Sequence, residues 1–217
     1  MDSSLPAPGR RDRQKHSRQL RILRAARRLF ARRGFSQTAM EDVAESAKLA
    51  VGTIYNYFPS KTDLLLAIIG RETGSLLERG RALAANPPRD PLAAITALTE
   101  LFVGDLLDGD RRLWRELFAA AITDPQSIGA RMFEADRQLI ALLAELIADF
   151  KKRRALAETL DEARAATVTY SVCFSLLTAY LIDDRMEPET IRGEIRRGIA
   201  IVLDGMRPSD PSGGKLQ

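Results

Sequence analysis

Residues 34–65 read GFSQTAMEDVAESAKLAVGTIYNYFPSKTDLL. Within this stretch Thr38 and Glu41 have the spacing of a capping box, in which a hydroxyl and a carboxylate satisfy free backbone donors, so a helix is expected to start here. A second short helix is expected over residues 51–57. Two short helices joined by residues 46–49 predict a helix-turn-helix, a unit whose second helix lies in the major groove of DNA.

A longer helix precedes this pair of short helices. Its apolar side chains fall on one helical stripe, and Gly34 then supplies the left-handed residue that commonly ends a helix. The stripe consists of Ile22, Leu23, Ala26, Leu29 and Phe30. Almost no part of the chain alternates apolar and polar residues with period two, so the fold class is predicted to be all-α.

Charge is distributed unevenly along the 217 residues, although the net charge is only +4. Residues 1–62 carry 13 Lys or Arg and 5 Asp or Glu, a net charge of +8, whereas residues 63–217 carry 20 and 24, a net charge of −4. A basic end on a mildly acidic body has two interpretations of about equal weight. The basic end binds a polyanionic partner, or its charges simply form a solvated face of a helix.

Several classes of protein are excluded or disfavoured by composition. One Cys and one His exclude an internal disulfide framework and a Cys/His zinc site, so no metal and no cofactor is expected. The N-terminal residues lack the apolar core of a secretory signal, and no apolar run approaches the roughly 18 to 20 residues that span a bilayer. The sequence therefore predicts a soluble, cytoplasmic protein without a membrane partner.

The segments GFSQTAMEDVA (34–44) and GTIYNYFPSKTDLL (52–65) closely resemble the DNA-binding head of the TetR-type, or tetracycline-repressor-like, transcriptional regulators. The resemblance extends over about residues 17–66. It implies a helix-turn-helix head followed by helices that bind a small molecule and dimerise through the last two. The sequence departs from the family pattern at Lys48, where a Gly is usual, and at Ala50, where a capping Ser is usual.

The chemistry of the third helix assigns separate roles to its two sides. Ile54 and Phe58, four residues apart and apolar, are expected to anchor the helix in the core. The opposite side presents the candidates for reading base edges, with Asn56 suited to a bidentate contact with adenine. These candidates are Val51, Gly52, Tyr55 and Asn56.

Other polar residues are placed for the DNA backbone. The resemblance implies phosphate contacts for two members of this set, Tyr57 and Lys61, and a helix N-terminus adds free N–H groups at Thr38. The predicted phosphate contacts are Thr38, Thr53, Tyr57 and Lys61. A flexible basic arm entering the minor groove, or alternatively a solubilising tail, is predicted for Arg10, Arg11, Arg13 and Lys15.

Four regions are expected along the chain. They are a disordered basic arm (1–12), a three-helix DNA-binding domain (13–62), a larger effector-binding and dimerisation domain (63–206) and a disordered tail (207–217). About nine helices are predicted in all. In the larger domain they follow Asp-Pro caps and apolar periodicity and cover about 90–107, 111–122, 125–152, 157–184 and 188–205.

The larger domain offers aromatic residues for an effector pocket. Small hydroxyls and aromatic rings interleave along the helix predicted over 157–184, which suits a pocket with a few orienting groups, although ordinary core packing is the alternative for any one of them. The predicted pocket wall consists of Trp114, Phe118, Phe133, Tyr170 and Phe174. Because no basic cluster marks this set, an apolar or weakly polar effector is favoured.

The last helix carries an apolar stripe that favours self-association. Pairing with a second copy would form a self-complementary four-helix interface and set two DNA-binding heads on a two-fold axis. The predicted interface residues are Ile191, Ile195, Ile199 and Val202.

The sequence therefore predicts a homodimeric transcriptional regulator that binds double-stranded DNA and a small-molecule effector. Its expected action is repression of a pseudo-palindromic operator until the effector releases it. An activator of the same family and an architectural DNA-binding protein of low specificity are the alternatives. Catalysis is not expected, because the larger domain has no His and no recognisable catalytic constellation.

Overall fold

The computed structural model describes residues 10–109 and 111–207, and within them the chain forms nine α-helices, one π-helical turn and no strand, which confirms the all-α prediction. The α-helices are α1 (Arg10–Arg33), α2 (Met40–Ala47), α3 (Val51–Tyr57), α4 (Lys61–Ala85), α5 (Pro91–Leu107), α6 (Arg111–Thr123), α7 (Ala130–Lys152), α8 (Glu162–Ile182) and α9 (Pro188–Asp204). The π-helical turn, Pro125–Gly129, precedes α7.

The chain divides into two compact units that do not follow its order strictly. The first unit contains residues up to 71 together with 115–131, and the second contains 72–114 and the residues from 132 onward. The DNA-binding domain predicted over residues 13–62 falls within the first unit, which also includes α4 as far as residue 71, the later part of α6 and the π-helical turn.

The core of the first unit is built from the apolar faces predicted for α1, α2 and α3. Ile22, Ala26 and Phe30 of α1 are buried, as are Ile54 and Phe58 at the end of the unit's short helices. The buried face of α2 comprises Met40, Val43, Ala44 and Ala47. Fully burying a large apolar side chain contributes about 1.5–3 kcal/mol, so these contacts hold three short elements in one fixed arrangement.

The arm predicted at the N-terminus is helical where the structure describes it. Helix α1 begins at Arg10, so the prediction of a flexible arm is wrong for the backbone of Arg10, Arg11, Arg13 and Lys15. The physical reason is that no Gly or Pro interrupts the sequence between Gly9 and Gly34, and its residues have good helix propensity. The remaining residues predicted as arm and tail, 1–9 and 208–217, lie outside the described residues.

Several helices begin at a residue whose side chain caps the first turn, as the sequence predicts. Asp90 accepts a hydrogen bond from the Ala93 amide at 2.8 Å, and Asp161 accepts one from the Arg164 amide at 3.0 Å. Because Asp161 caps it, α8 begins at Glu162 and not at the predicted residue 157. The capping box predicted from Thr38 and Glu41 does not form, because the N-cap of α2 is Ala39, which has no side-chain acceptor. Only the other half of such a box is present, since the Ala39 amide donates to Asp42 at 2.8 Å.

Helices α5, α7, α8 and α9 supply the core of the second unit. The buried side of α7 comprises Leu139, Leu142, Leu143, Leu146, Ile147 and Phe150. Helices α8 and α9 approach closely at Gly198, where a Cβ atom would lie 2.6 Å from Cγ1 of Val172. Arg192 of α9 forms ion pairs with Glu100 and Asp108, which ties α9 to the end of α5.

Helix α8 is the one helix among the described residues that is long and apolar enough to cross a membrane by length and composition. This differs from the expectation that no apolar run approaches such a length. A core helix of a globular protein passes the same test, and α8 packs against α9 with Cys173 and Tyr180 buried.

Candidate nucleic-acid interface

Helix α3 presents its predicted base-reading residues on the side opposite its anchor. Ile54 is fully buried, whereas Gly52 and Asn56 are exposed, Tyr55 is 44% exposed and Val51 is half-buried. No atom lies within 4 Å of the position that a Cβ would take at Gly52. The helix backbone there is therefore open to close approach by another molecule, as a helix entering a groove requires.

The four predicted phosphate contacts lie in two different environments. Thr53 and Tyr57 are half-buried and lie on α3 beside the base-reading residues. Thr38 is only 2% exposed, and its hydroxyl donates to the Gly34 carbonyl oxygen at 2.8 Å. The connection between α1 and α2 turns this hydroxyl inward, so a phosphate contact at Thr38 would fall to the free N–H groups of the helix N-terminus and stays a prediction.

Lys61 also differs from its predicted role. Its ammonium group donates to the carbonyl oxygens of Phe35 at 2.8 Å, Thr38 at 3.0 Å and Ser36 at 3.3 Å. The same nitrogen lies 4.6 Å from the centroid of the Phe35 ring, a cation–π distance. An ammonium group has three N–H donors, so internal bonds occupy the group that a phosphate would need.

Both departures from the family pattern have visible consequences at the turn before α3. Lys48 adopts a left-handed backbone with φ 52°, a conformation that a Gly would adopt without strain. Ala50 is the N-cap of α3 and provides no side-chain hydrogen bond to the first turn. The start of α3 therefore lacks the hydrogen bond that a Ser at position 50 would supply.

Replacing Ala50 by Ser is expected to stabilise this start. Ala50 already has the extended backbone of an N-cap, with φ −66° and ψ 143°, so a Ser hydroxyl can accept from the free amides that follow. The expected gain in the free energy of unfolding is about 1 kcal/mol, or roughly 2–4 °C in Tm for a chain of this length. Thermal unfolding followed by circular dichroism measures it, and an unchanged or lower Tm would contradict the capping argument.

Basic side chains line the exposed part of α1. Lys15, Arg18, Arg21 and Arg24 are all exposed on this helix. Nearer its C-terminal end, Arg28 donates to the Ser46 hydroxyl at 2.9 Å, which links α1 to the end of α2. The exposed basic residues retain the positive charge that the sequence places at this end of the molecule.

One contact in the first unit was not predicted from sequence. A carboxylate oxygen of Glu116 in α6 accepts a hydrogen bond from the Ser36 amide at 3.1 Å. A Cβ atom at Gly34, whose φ is +91°, would overlap the same carboxylate. No local pattern signals such a contact, because 80 residues separate the two partners.

The predicted pocket residues are not all enclosed. Tyr170 and Phe174 stack with ring centroids 5.7 Å apart, and Trp114 is half-buried. Phe133 is 66% exposed, so it is not a buried wall residue in this structure. Phe118 belongs to the first unit, whereas the other four residues belong to the second.

Polar groups accompany the stacked rings in the second unit. The Tyr170 hydroxyl hydrogen-bonds to the Asp136 carboxylate of α7, and burial raises the pKa of Asp136 in spite of that bond. Burial also raises the pKa of the Cys173 thiol to about 11, so this thiol is protonated at neutral pH. The group therefore presents a partly buried carboxylate to any small molecule that reaches the rings.

The predicted interface residues of α9 are mostly internal. Ile191, Ile195 and Ile199 are buried within the single chain, so their assignment to a dimer surface is wrong, and Val202 is half-buried. Their stripe faces the core of the second unit. A helix with one apolar stripe can direct it at its own chain or at a partner, and the stripe alone does not distinguish the two.

Other apolar residues of α8 and α9 are exposed instead. Val168 is 51% exposed and Ile201 is 73% exposed, and they line an open groove of about 380 Å³ together with Val202 and Met206. Along the outer side of α8, the Thr167, Ser171 and Thr178 hydroxyls each donate at 2.8 Å to the carbonyl oxygen four residues before. These hydroxyls are already satisfied, so covering this surface leaves none of them without a partner.

Comparison with known proteins agrees with this geometry. The family model for bacterial regulatory proteins of the tetR family matches residues 22–68. The transcriptional repressor KstR from Rhodococcus jostii is 31% identical over 165 residues, which cover 76% of this chain and 73% of KstR.

Solved structures share the fold. A TetR-family transcriptional regulator from Mesorhizobium loti matches with a TM-score of 0.75 at 18% identity, covering 88% of this chain and 98% of that one. FadR from Thermus thermophilus, a transcriptional repressor in complex with lauroyl-CoA, matches with a TM-score of 0.65 at 23% identity, covering 91% of this chain and all of that one.

Proposed function

Because this chain belongs to the TetR family of bacterial regulatory proteins, which bind DNA and are not enzymes, we propose that it is a cytoplasmic, homodimeric transcriptional repressor. A small apolar or weakly polar effector releases it from a pseudo-palindromic operator. Helix α3 carries the proposal, since Ile54 anchors it while Gly52, Tyr55 and Asn56 are exposed on its other side.

Different residues of α3 contact the base edges and the phosphate backbone of the DNA. Asn56 makes a bidentate contact with adenine, Val51 meets a thymine methyl group, and Gly52 permits close approach of the backbone. Thr53 and Tyr57 contact phosphates, which position the helix without carrying sequence information. The exposed basic residues of α1 add attraction that is independent of sequence.

Asn56→Ala and Tyr57→Phe are expected to separate these two roles. Removal of the bidentate contact takes away about 1–3 kcal/mol of discrimination at one base pair in each half-site, so Asn56→Ala relaxes the preference there. Tyr57→Phe removes one hydroxyl and weakens binding to all sequences by a similar factor. Selection of duplexes from a random library, repeated with each variant, measures both effects. Identical changes in the two sequence preferences would contradict the division of roles.

The dimer forms through the outer side of α8 and α9. The exposed Val168 and Ile201, with the satisfied hydroxyls of α8, provide an apolar surface that a second copy covers by a two-fold axis. Along α9, Glu194 and Arg197 form an ion pair beside this surface and supply a polar rim. Two-fold symmetry then separates the recognition helices by about 34–36 Å, one turn of DNA, or by a multiple of it.

Ile201→Asp is expected to dissociate this dimer. A carboxylate buried at the interface without a partner costs several kcal/mol, so the dissociation constant rises by roughly 100-fold or more. Ile122→Asp is the matched control, because Ile122 is 79% exposed but lies in the first unit. Sedimentation of both variants reports the oligomeric state. Equal dissociation by the two substitutions, or an unchanged dimer in Ile201→Asp, would rule out this interface.

The effector binds in the second unit beside the stacked Tyr170 and Phe174. Their rings supply apolar contact, while Asp136 and the Tyr170 hydroxyl orient a polar group. The complex of Thermus thermophilus FadR with lauroyl-CoA supports a ligand with a substantial apolar part. Release requires the effector to favour a conformation with low operator affinity, a coupling of typically about 1–3 kcal/mol that acts equally in both directions.

One experiment tests the proposal as a whole. The wild-type chain selects duplexes from a random library, and lauroyl-CoA and other lipophilic compounds are then tested for release of the selected duplex. A repressor shows a large ratio of specific to random affinity and reciprocal weakening by an effector. A chain that binds selected and random duplexes alike is an architectural protein, and that result overturns the proposal.

A further inference from the structure

The connection between α1 and α2, residues 34–38, is held by two side chains of opposite charge. On one side the Lys61 ammonium group donates to three carbonyl oxygens of this connection. Its approach to the Phe35 ring adds a fourth contact, and Phe35 in turn packs edge-on against Phe30 at 5.2 Å between centroids. Lys61, the first residue of α4, thereby fixes the carbonyl side of the connection.

Glu116 of α6 fixes the amide side. One carboxylate oxygen accepts from the Ser36 amide at 3.1 Å, and the carboxylate occupies the space that any side chain at Gly34 would fill. The next residue of α6, Leu117, is buried, so this part of the helix is packed and not merely touching the surface. The hydrogen bond lies at an exposed position, and its charged acceptor makes it stronger than a neutral bond in the same place.

The connection determines where α2 begins and, through α2, where α3 lies. The Thr38 hydroxyl closes the connection on Gly34 at 2.8 Å, and α2 starts two residues later. Helix α2 then ends at Ala47, the amide of the next residue, Lys48, donates to the carbonyl oxygen of Glu45, and α3 begins three residues later at Val51. A displacement of the connection therefore displaces both short helices together.

We infer that Glu116 is a positioning residue through which α6 sets the order and orientation of the recognition helix α3. Helix α6 starts in the second unit, at Arg111, and ends in the first. The consequence for DNA binding rests on the proposed function, whereas the consequence for the order of α2 and α3 does not.

Amide hydrogen exchange tests the inference without DNA. Glu116→Ala is expected to speed exchange at Ser36 and across residues 40–57 by about tenfold, because a charge-assisted hydrogen bond no longer opposes local opening. Glu116→Gln keeps an acceptor oxygen and gives a smaller effect. Glu158→Gln is the control, since it removes one negative charge from an exposed side chain. Unchanged exchange in Glu116→Ala, or an equal change in the Glu158 variant, would overturn the inference.

A double-mutant cycle with Gly34→Ala adds an independent test. Alone, this substitution displaces the flexible end of the Glu116 side chain, and with it the hydrogen bond to Ser36, and it strains a backbone with φ +91°, so exchange over residues 40–57 becomes faster. In the Glu116→Ala background no such hydrogen bond is left to displace. The combined rate is then expected to fall about tenfold short of the product of the two single effects. Strictly multiplicative effects would show that the two residues act separately. If Gly34→Ala fails to fold, recovery of folding in the double variant supports the inference and its absence opposes it.

The third test measures binding to the DNA duplex that the wild-type chain selects. Glu116→Ala is expected to weaken binding of that duplex about tenfold with the Asn56-dependent base preference also reduced, because the recognition helix is less ordered. If amide exchange became faster in Glu116→Ala while its DNA affinity stayed unchanged, the role of Glu116 in DNA recognition would be overturned. Failure of the wild type to select any duplex contradicts the proposed function alone, since the exchange measurements stand apart from it.

Discussion

Lys61→Ala is expected to lower the free energy of unfolding by about 2–3 kcal/mol, because it removes charge-assisted hydrogen bonds from carbonyl groups of the connection between α1 and α2. The carbonyl oxygens of Phe35, Ser36 and Thr38 lose a common donor in this variant. Water replaces it only in part, since the hydrogen bonds to Phe35 and Thr38 are partly buried. The substitution also removes the aliphatic stem and the cation that contact the Phe35 ring.

Two measurements distinguish this structural role of Lys61 from a phosphate contact: denaturant unfolding, and the dependence of DNA affinity on salt concentration. If the Lys61 ammonium group neutralised a phosphate, the slope of log affinity against log salt would shrink by about 0.9 for each phosphate that the variant no longer neutralises. If Lys61 instead holds the connection between α1 and α2, Lys61→Ala leaves the slope unchanged and lowers the free energy of unfolding. Lys152→Ala, at an exposed residue of α7, removes the same charge as a control. A normal free energy of unfolding with a smaller salt slope would restore the phosphate role.

Gly198→Ala is expected to lower the free energy of unfolding by about 1–3 kcal/mol, the usual cost of overpacking a close-packed interface. The added methyl group would meet Cγ1 of Val172 at 2.6 Å, far inside normal contact. Val172 relieves the overlap poorly because a β-branched side chain in a helix has one strongly preferred rotamer. Helices α8 and α9 must therefore separate, which disturbs both the core of the second unit and the surface proposed for the dimer.

Gly193→Ala is the matched control on the same helix. A Cβ at Gly193 would lie 3.6 Å from Nη2 of Arg197, an ordinary contact, so only helix propensity changes. Alanine in place of glycine then raises the free energy of unfolding by about 0.5–1 kcal/mol. Both variants are measured by denaturant unfolding at one protein concentration. If both variants changed the free energy of unfolding in the same direction, the close contact between α8 and α9 at Gly198 would not be the reason that a glycine is needed there.

Local interactions made much of the fold predictable from sequence. The stripe containing Ile22 and Phe30 is buried, and the cap at Asp90 starts its helix at the expected place. Each of these features depends on residues a few positions apart, so their spacing carries the information. The α2 cap differs from the prediction because the Thr38 hydroxyl lies inside the connection, where it donates to Gly34, and the helix begins one residue later with Ala39 donating to Asp42. Spacing alone gives no sign of that difference.

The candidate site was predictable only on α3. Exposure of Tyr55 and burial of Ile54 follow from a seven-residue helix with one apolar side. Lys61 could not be placed by spacing, because its acceptors lie at least 23 residues earlier in the chain. The stripe containing Ile195 gave the wrong partner for a related reason: sequence shows that a face is apolar, whereas the arrangement of helices decides what covers it.

The discontinuous first unit limits how this regulator can be recombined with others. A chimera that joins residues up to 71 to an unrelated body discards residues 115–131, and with them the carboxylate of Glu116 that accepts from the Ser36 amide. Such a chimera retains every residue proposed to read bases yet lacks one hydrogen bond that restrains the connection before α2. A transfer of the whole first unit therefore requires three crossovers in the gene, after residues 71, 114 and 131, and not a single junction after the helix-turn-helix.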